Sequence, residues 1–320
     1  MKLLIAVWVA PQEPYPELYA NGPRKTWMLD LPPDVKVIAV SGKKLSKVRK
    51  IFSDLNDQLR FAGPGKNDVG TVDYASFPQK SLQVILRKVH AGNVGIASAA
   101  SNRVLRGLIR VASLAIAGWG QSIASWRKNR LRRNFVFRDN HLLFDRPATM
   151  ANLTVITLDF LNWFLKQTDF AGVLFTTTGA YVRADALQSF VKNLNDDVDM
   201  ATSSALSGEE EFFISGFAVY ITRKGARKIL ESGGFDHSLL NDVALTKWVK
   251  QNDCELVRLP VLWQTNPEFE RYIGTELSRS GYAVVRCTDH WDRSSETRLM
   301  HRLHSNLHST GTQNVDISGT

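Results

Sequence analysis

Eight consecutive apolar residues, Leu3 to Ala10, follow a single lysine near the start of the chain and are closed by Pro11. A run this short, partly β-branched and stopped by proline, reads as a β-strand spanning Lys2 to Ala10. It has no polar alternation, so both of its faces must be buried, and that condition is met inside a parallel sheet covered on each side. The lysine and apolar run also have the outline of a short secretory leader. No small-residue cleavage site follows, however, and a buried strand accounts for the same residues.

The next segments repeat the theme. Val35 to Val40 is β-branched and alternating and ends at Ser41–Gly42, while Ser46 to Arg60 has helical periodicity. Strand, helix and strand at this spacing predict an α/β unit with a mostly parallel sheet flanked by helices. Arg24 to Leu29, after a Gly-Pro turn, reads as the start of a helix. Beyond a short extended stretch from Asn134 to Asp145, residues 151–167 form the clearest helix, with Thr149 or Asn152 placed to cap it. Strands are expected at Val173–Phe175, Val198–Ser203, Phe217–Ile221 and Cys254–Leu262. Helices are expected at Ala184–Leu194, Lys224–Ser232 (stopped by Gly233–Gly234), Leu240–Gln251 and Ser295–Leu307. The last residues, 308–320, are polar and read as a flexible tail.

Charge divides the chain unevenly. The 320 residues carry a net charge of +9, with 44% hydrophobic residues, which excludes a disordered chain. Two cysteines exclude a disulfide scaffold and fit a reducing, cytoplasmic compartment. Between Tyr74 and Arg138 there is no Asp or Glu but twelve Lys and Arg, so the rest of the chain is net acidic. Arg103, Arg106 and Arg110 recur at helical intervals beside an apolar face, and Trp126 leads into Arg127, Lys128, Arg130, Arg132 and Arg133. A basic amphipathic helix followed by tryptophan and a polybasic cluster fits the inner face of an anionic membrane. The same charges suit a nucleic-acid backbone, or a solvated helical hairpin packed on the core. No stretch is long and apolar enough to span a bilayer.

No Walker loop, GxGxxG, HExxH or GxSxG motif is present. His301, His304 and His308 fall at spacings of three and four on the last predicted helix, which suits either a metal site or a solvated face. The sequence offers no nearby acidic partner for them. Asp196, Asp197 and Asp199 suit either a cation or a solvated turn.

A series of short motifs follows the predicted elements: Arg24–Lys25–Thr26–Trp27; Asn152–Leu153–Thr154; Val173 to Val182, which includes Thr176, Thr177, Thr178 and Gly179; Ile214 to Ile221, with Ser215–Gly216; and Asn241–Asp242–Val243. In order and spacing this series resembles the Fringe and β-1,3-galactosyltransferase type of GT-A glycosyltransferase over residues 1–65 and 134–300. The resemblance implies one GT-A-like (Rossmann-like) domain over residues 1–300, interrupted by a basic helical insertion at 80–133. It implies sugar transfer from a nucleotide-diphosphate sugar to a hydroxyl acceptor, with inversion. The acceptor would be a lipid-linked or cell-surface glycan at a membrane, or alternatively a hydroxylated DNA base.

By the same resemblance Asp242 is the catalytic base. Arg24, Thr176, Thr177, Thr178, Gly179, Arg183, Ser215 and Gly216 line the donor site, and Asn241 and Arg286 lie beside it. The family's D-x-D carboxylates, which hold Mn²⁺ or Mg²⁺, are replaced here by Thr177–Thr178–Gly179. The departure leaves three readings open: a metal-independent enzyme relying on arginines such as Arg183 and Arg286, a substitute carboxylate such as Asp199, or an inactive binding module.

Overall fold

The opening strand lies at the centre of a sheet, as its two apolar faces require. The computed structural model describes residues 1–44 and 135–309, apart from 12, 149, 205–213, 237, 238, 240, 265, 267, 268 and 288–292. β1 (Leu3–Trp8) pairs in parallel with β2 (Val35–Lys43) on one side and β5 (Gly172–Thr177) on the other. The full sheet has eight strands in the order β3-β4-β2-β1-β5-β8-β7-β9. β3 (Phe135–Arg138) and β4 (His141–Pro147) form a hairpin at one edge. β7 (Met200–Ser204), β8 (Ile214–Thr222) and β9 (Leu256–Arg258) complete the other. β3 and β8 run against the remaining six, so the sheet is mixed but mostly parallel.

Alternate residues of β1 divide between two cores. Leu3, Ile5 and Val7 join one cluster and Leu4 and Ala6 the other. The second cluster is covered by α2 (Met150–Gln167), α4 (Arg223–Glu231) and α5 (Asn241–Gln251) through Phe160, Leu161, Phe164, Ile229 and Trp248. The first is covered by α3 (Ala184–Lys192), the last helix α6 (Arg293–Ser309), and a small sheet of β10 (Val261–Leu262), β11 (Val284–Arg286) and β6 (Ala180–Val182). Each fully buried Leu, Ile or Phe contributes roughly 1.5–3 kcal/mol, so the two-faced burial of β1 anchors the domain.

Several expectations shift in detail. The first helix, α1 (Tyr15–Asn21), precedes the Gly-Pro turn rather than following it, and Arg24 lies in a single 3₁₀ turn, Pro23–Lys25. Proline fits the first turn of each, where a missing N–H costs nothing. The extended stretch before residue 145 is a hairpin, turned by Asp139 and Asn140 at positive φ, as tight hairpins require. Asn152 is the third residue of α2, inside its first turn, so it is not the cap. The stretch 254–262 divides into β9 and β10, which join different sheets. Gly233 and Gly234, at φ +91° and +83°, do end α4 as the sequence implies. The predicted helix at 46–60, the basic insertion at 80–133 with Arg103, Arg106, Arg110, Trp126, Arg127, Lys128, Arg130, Arg132 and Arg133, and the tail from 310 lie outside the described residues.

Candidate active site

At the carboxyl ends of the parallel strands, β5 runs out through Thr177 and turns at Thr178–Gly179 into β6. Loops at this edge of an α/β sheet are where ligands characteristically bind. β8 passes the same place in the opposite sense. Thr176 is opposite Ala218, which brings Phe217, Gly216 and Ser215 alongside the end of β5. The Thr176 hydroxyl donates to the Phe217 carbonyl at 3.1 Å and is fully buried. Thr178 is buried as well, so Thr177 is the hydroxyl of the three that reaches the surface.

Asp242 stands at the first turn of α5, facing Gly216. A Cβ on Gly216 would meet the Asp242 Cβ at 3.5 Å, an ordinary contact, and would fill the space beside the carboxylate. The start of α5 is held from two sides. Thr157 of α2 places its hydroxyl 2.9 Å from the Asn241 amide oxygen and 2.8 Å from the Leu153 carbonyl. The Thr246 hydroxyl lies 2.8 Å from the Asp242 carbonyl and accepts from the Ile214 amide at 3.0 Å. Thr154, from the Asn-Leu-Thr motif, donates to the Leu239 carbonyl just before the helix. That motif is therefore a brace for the Asp242 turn.

Burial raises the Asp242 carboxyl above the usual aspartate range, against a smaller opposing effect of the backbone N–H of Val243, which donates to Oδ1 at 3.0 Å. Among the described residues no cation lies against it. A half-buried carboxylate of raised basicity, held by a helix start, has the properties of a general base.

The other side of the edge carries positive charge. Arg286 ends β11, where its backbone pairs with Ala180, and the next amide, of Cys287, donates to the Gly179 carbonyl. Its guanidinium stacks over Trp263 and Phe217, 4.9 and 5.2 Å from the ring centroids. Stacking fixes the guanidinium plane against the two rings. Trp27 donates its indole N–H to the Ala180 carbonyl at 3.0 Å, which attaches the 23–30 segment, with exposed Arg24, to the same turn.

Two sequence assignments are corrected. Arg183 is only 7% exposed, and its guanidinium donates to the carbonyls of Leu277, Ser280 (2.9 Å) and Ser278 (3.3 Å) while pairing with Asp185. It clamps the 277–282 loop and is not placed to offset a diphosphate. Asp199 is also committed elsewhere. Met200 pairs with Ile221, and Ile221 with Val173, so Asp199 is level with Gly172 at the amino end of β5, two strands across and five residues or about 16 Å along the strand from Thr177. It cannot replace a carboxylate at the Thr177–Gly179 turn. Phe217 and Trp263 escaped the sequence reading because a cation platform needs two rings brought from different sheets, and spacing carries no sign of that.

No protein-family model matches the chain, and no curated protein does. Solved structures similar to it include galactosyltransferase LgtC in complex with donor and acceptor sugar analogs, at 10% identity and TM-score 0.40, with 97% of this chain and 96% of that one covered. Glycosyltransferase GlyE of Streptococcus pneumoniae matches at 9% identity and TM-score 0.39, over 100% of this chain and 65% of GlyE. Mannosyltransferase PcManGT of Pyrobaculum calidifontis, in complex with GDP-Man and Mn²⁺, matches at 11% identity and TM-score 0.33, over 99% of this chain and 76% of that one.

Proposed function

We propose that the protein transfers a sugar from a nucleotide-diphosphate sugar to a hydroxyl acceptor, with Asp242 as the base. The observation that carries this reading is the convergence at one sheet edge of motifs far apart in the chain. The turn at 176–179, the Ser215–Gly216 strand, the Asn241–Asp242 helix start, the Trp27 segment and Arg286 all meet there. In the reaction Asp242 takes the proton of the acceptor hydroxyl as its oxygen bonds to the anomeric carbon. The bond from that carbon to the diphosphate oxygen breaks with its electron pair, and a single displacement inverts the centre. Gly216 leaves room for the sugar beside the carboxylate. Arg286 and Arg24 are the cations assigned in this reading to the leaving diphosphate.

The residues at 177–179 do not fit a divalent metal, because two threonines and a glycine stand where carboxylates would be needed. No step is assigned to one. The test is release of a nucleotide diphosphate from a panel of nucleotide sugars, with EDTA and with Mn²⁺, by wild type and Asp242→Asn. Turnover that survives EDTA and is lost in the variant is expected. Turnover unchanged in Asp242→Asn overturns the assignment of the base. Silence with every donor, with no thermal shift by any nucleotide, favours a binding module.

For the acceptor, the acid-free segment from Tyr74 to Arg138 supports a lipid-linked or surface glycan at an anionic membrane. Flotation with anionic but not neutral liposomes is the expected result. Retention of duplex DNA without flotation would favour the nucleic-acid acceptor instead. Among the described residues no helix is long and apolar enough to cross a membrane.

A further inference from the structure

The last helix brings His304 and His308 against Asp30, in the segment after Trp27. The Asp30 Oδ2 lies 3.6 Å from His304 Nε2 and 3.1 Å from His308 Nε2, and the ligand atoms of all three residues lie within 4.8 Å of one another. We infer that Asp30, His304 and His308 form a site for Zn²⁺ or a similar borderline divalent ion, pinning the 23–30 segment to α6.

Three observations support it. Ligands about 2.0–2.1 Å from a tetrahedral zinc ion stand about 3.3–3.4 Å apart, so the cluster needs only small adjustments to close around one. The two histidines are four residues apart and share one helical face, with their rings 4.4 Å apart, whereas His301 of the same helix turns to the Asn21 carbonyl at 3.0 Å. His304, 19% exposed, also has its other ring nitrogen engaged, because Nδ1 lies 3.2 Å from the Tyr181 hydroxyl. With Nδ1 donating to that oxygen, the Nε2 lone pair faces Asp30, the arrangement in which outer partners orient metal-binding histidines. Two imidazoles and one carboxylate suit zinc better than magnesium or calcium, which favour oxygen alone. Asp30 and His308 are more than half exposed, so water can fill the remaining position.

An ion here would act on structure. Trp27 is bonded to Ala180, Tyr181 is the next residue, and α6 contributes Met300 and Leu303 to the first core. Fixing Asp30 to α6 therefore holds the segment against the small sheet. The inference does not rest on the transferase reading, and its test uses no turnover.

The full chain, without an affinity tag, is titrated with Co²⁺ and followed by visible absorption, then competed with Zn²⁺, and its thermal unfolding is measured with each metal. One equivalent should give a tetrahedral cobalt band, and saturating Zn²⁺ should raise Tm by at least about 2–4 °C, with no such shift from Mg²⁺. His308→Gln and Asp30→Asn, both at exposed positions, should weaken binding more than about tenfold, and Tyr181→Phe by about 10–100-fold. His301→Ala should bind as wild type. Absence of the band, or Asp30→Asn binding as tightly as wild type, overturns the site and leaves an ordinary His–Asp ion pair.

Discussion

Two carboxylates, the buried Asp199 and the half-buried Asp242, mark opposite ends of the sheet, and they have opposite surroundings. At the amino end, burial would raise Asp199, 1% exposed, but the Lys228 ammonium at 2.8 Å, the Glu255 amide at 3.1 Å and Lys224 at 3.6 Å hold it below the usual range. At the carboxyl end, burial raises Asp242, and the opposing donors are backbone amides, chiefly that of Val243. Asp199 is paired with two lysines and structural, although among the described residues its Oδ1 accepts no hydrogen bond. Asp242 is held in place by its helix but left basic, beside a glycine that keeps space open. The two carboxylates thus differ in role because one is held by lysines and the other by backbone amides beside a glycine.

The largest test of the contrast is Asp242→Asn. Turnover of the nucleotide sugar should fall by about 10²–10⁴-fold, the usual contribution of a general base, while Tm stays level or rises. Next, Asp199→Ala should leave the turnover of folded protein intact and cost about 1.5–3 kcal/mol, the scale of hydrogen bonds to a charged group, as read by urea unfolding. An Asp199→Ala protein that is fully stable but inactive would reverse the two assignments. Gly216→Ala fits the backbone and the 3.5 Å contact, so its stability should change by less than about 1 kcal/mol. Its methyl group would intrude on the site, and kcat/KM should drop by about tenfold, a loss within the range that small misplacements produce.

The smallest effect is one of sign with pH. The raised pKa of folded Asp242 means that the ionised form costs stability. That cost is absent below the unfolded pKa, grows as pH rises through the folded one, and is full above it. The lowered pKa of Asp199 acts in reverse: its stabilisation is full above the unfolded pKa and is lost as pH falls through the folded one. Urea midpoints of Asp242→Asn should therefore exceed wild type at about pH 7 and converge with it near pH 3, while the deficit of Asp199→Ala should shrink over the same acid range. Parallel curves for both variants would remove the electrostatic distinction between the two ends.

Much of the fold was legible in one dimension. The unbroken apolar run at 3–10 demanded burial on two faces, and the period-3.6 stripe of Leu153, Ile156, Phe160, Leu161 and Phe164 demanded a helix packed on one of them. What escaped was of long range. β6, β10 and β11 are two or three residues each, too short for periodicity, and exist as strands because they pair with one another. The helix expected from Arg24 lay instead before Pro23, since proline opens a 3₁₀ turn there.

The site divides along the same line. Asp242, Gly216 and the 176–179 turn were legible from motif order. Where each arginine is held was not, because Arg183 meets its carbonyls about a hundred residues away and Arg286 meets two rings distant from it in the chain. The histidines of α6 looked as if they had no acidic partner until folding brought Asp30 to them from the other end of the chain. Sequence by itself determined the longer strands and helices and which face of each is apolar, because those depend on local period and solvation. Tertiary structure alone decided which charges meet, because Coulomb and hydrogen-bond energies depend on distances in space that spacing along the chain does not record.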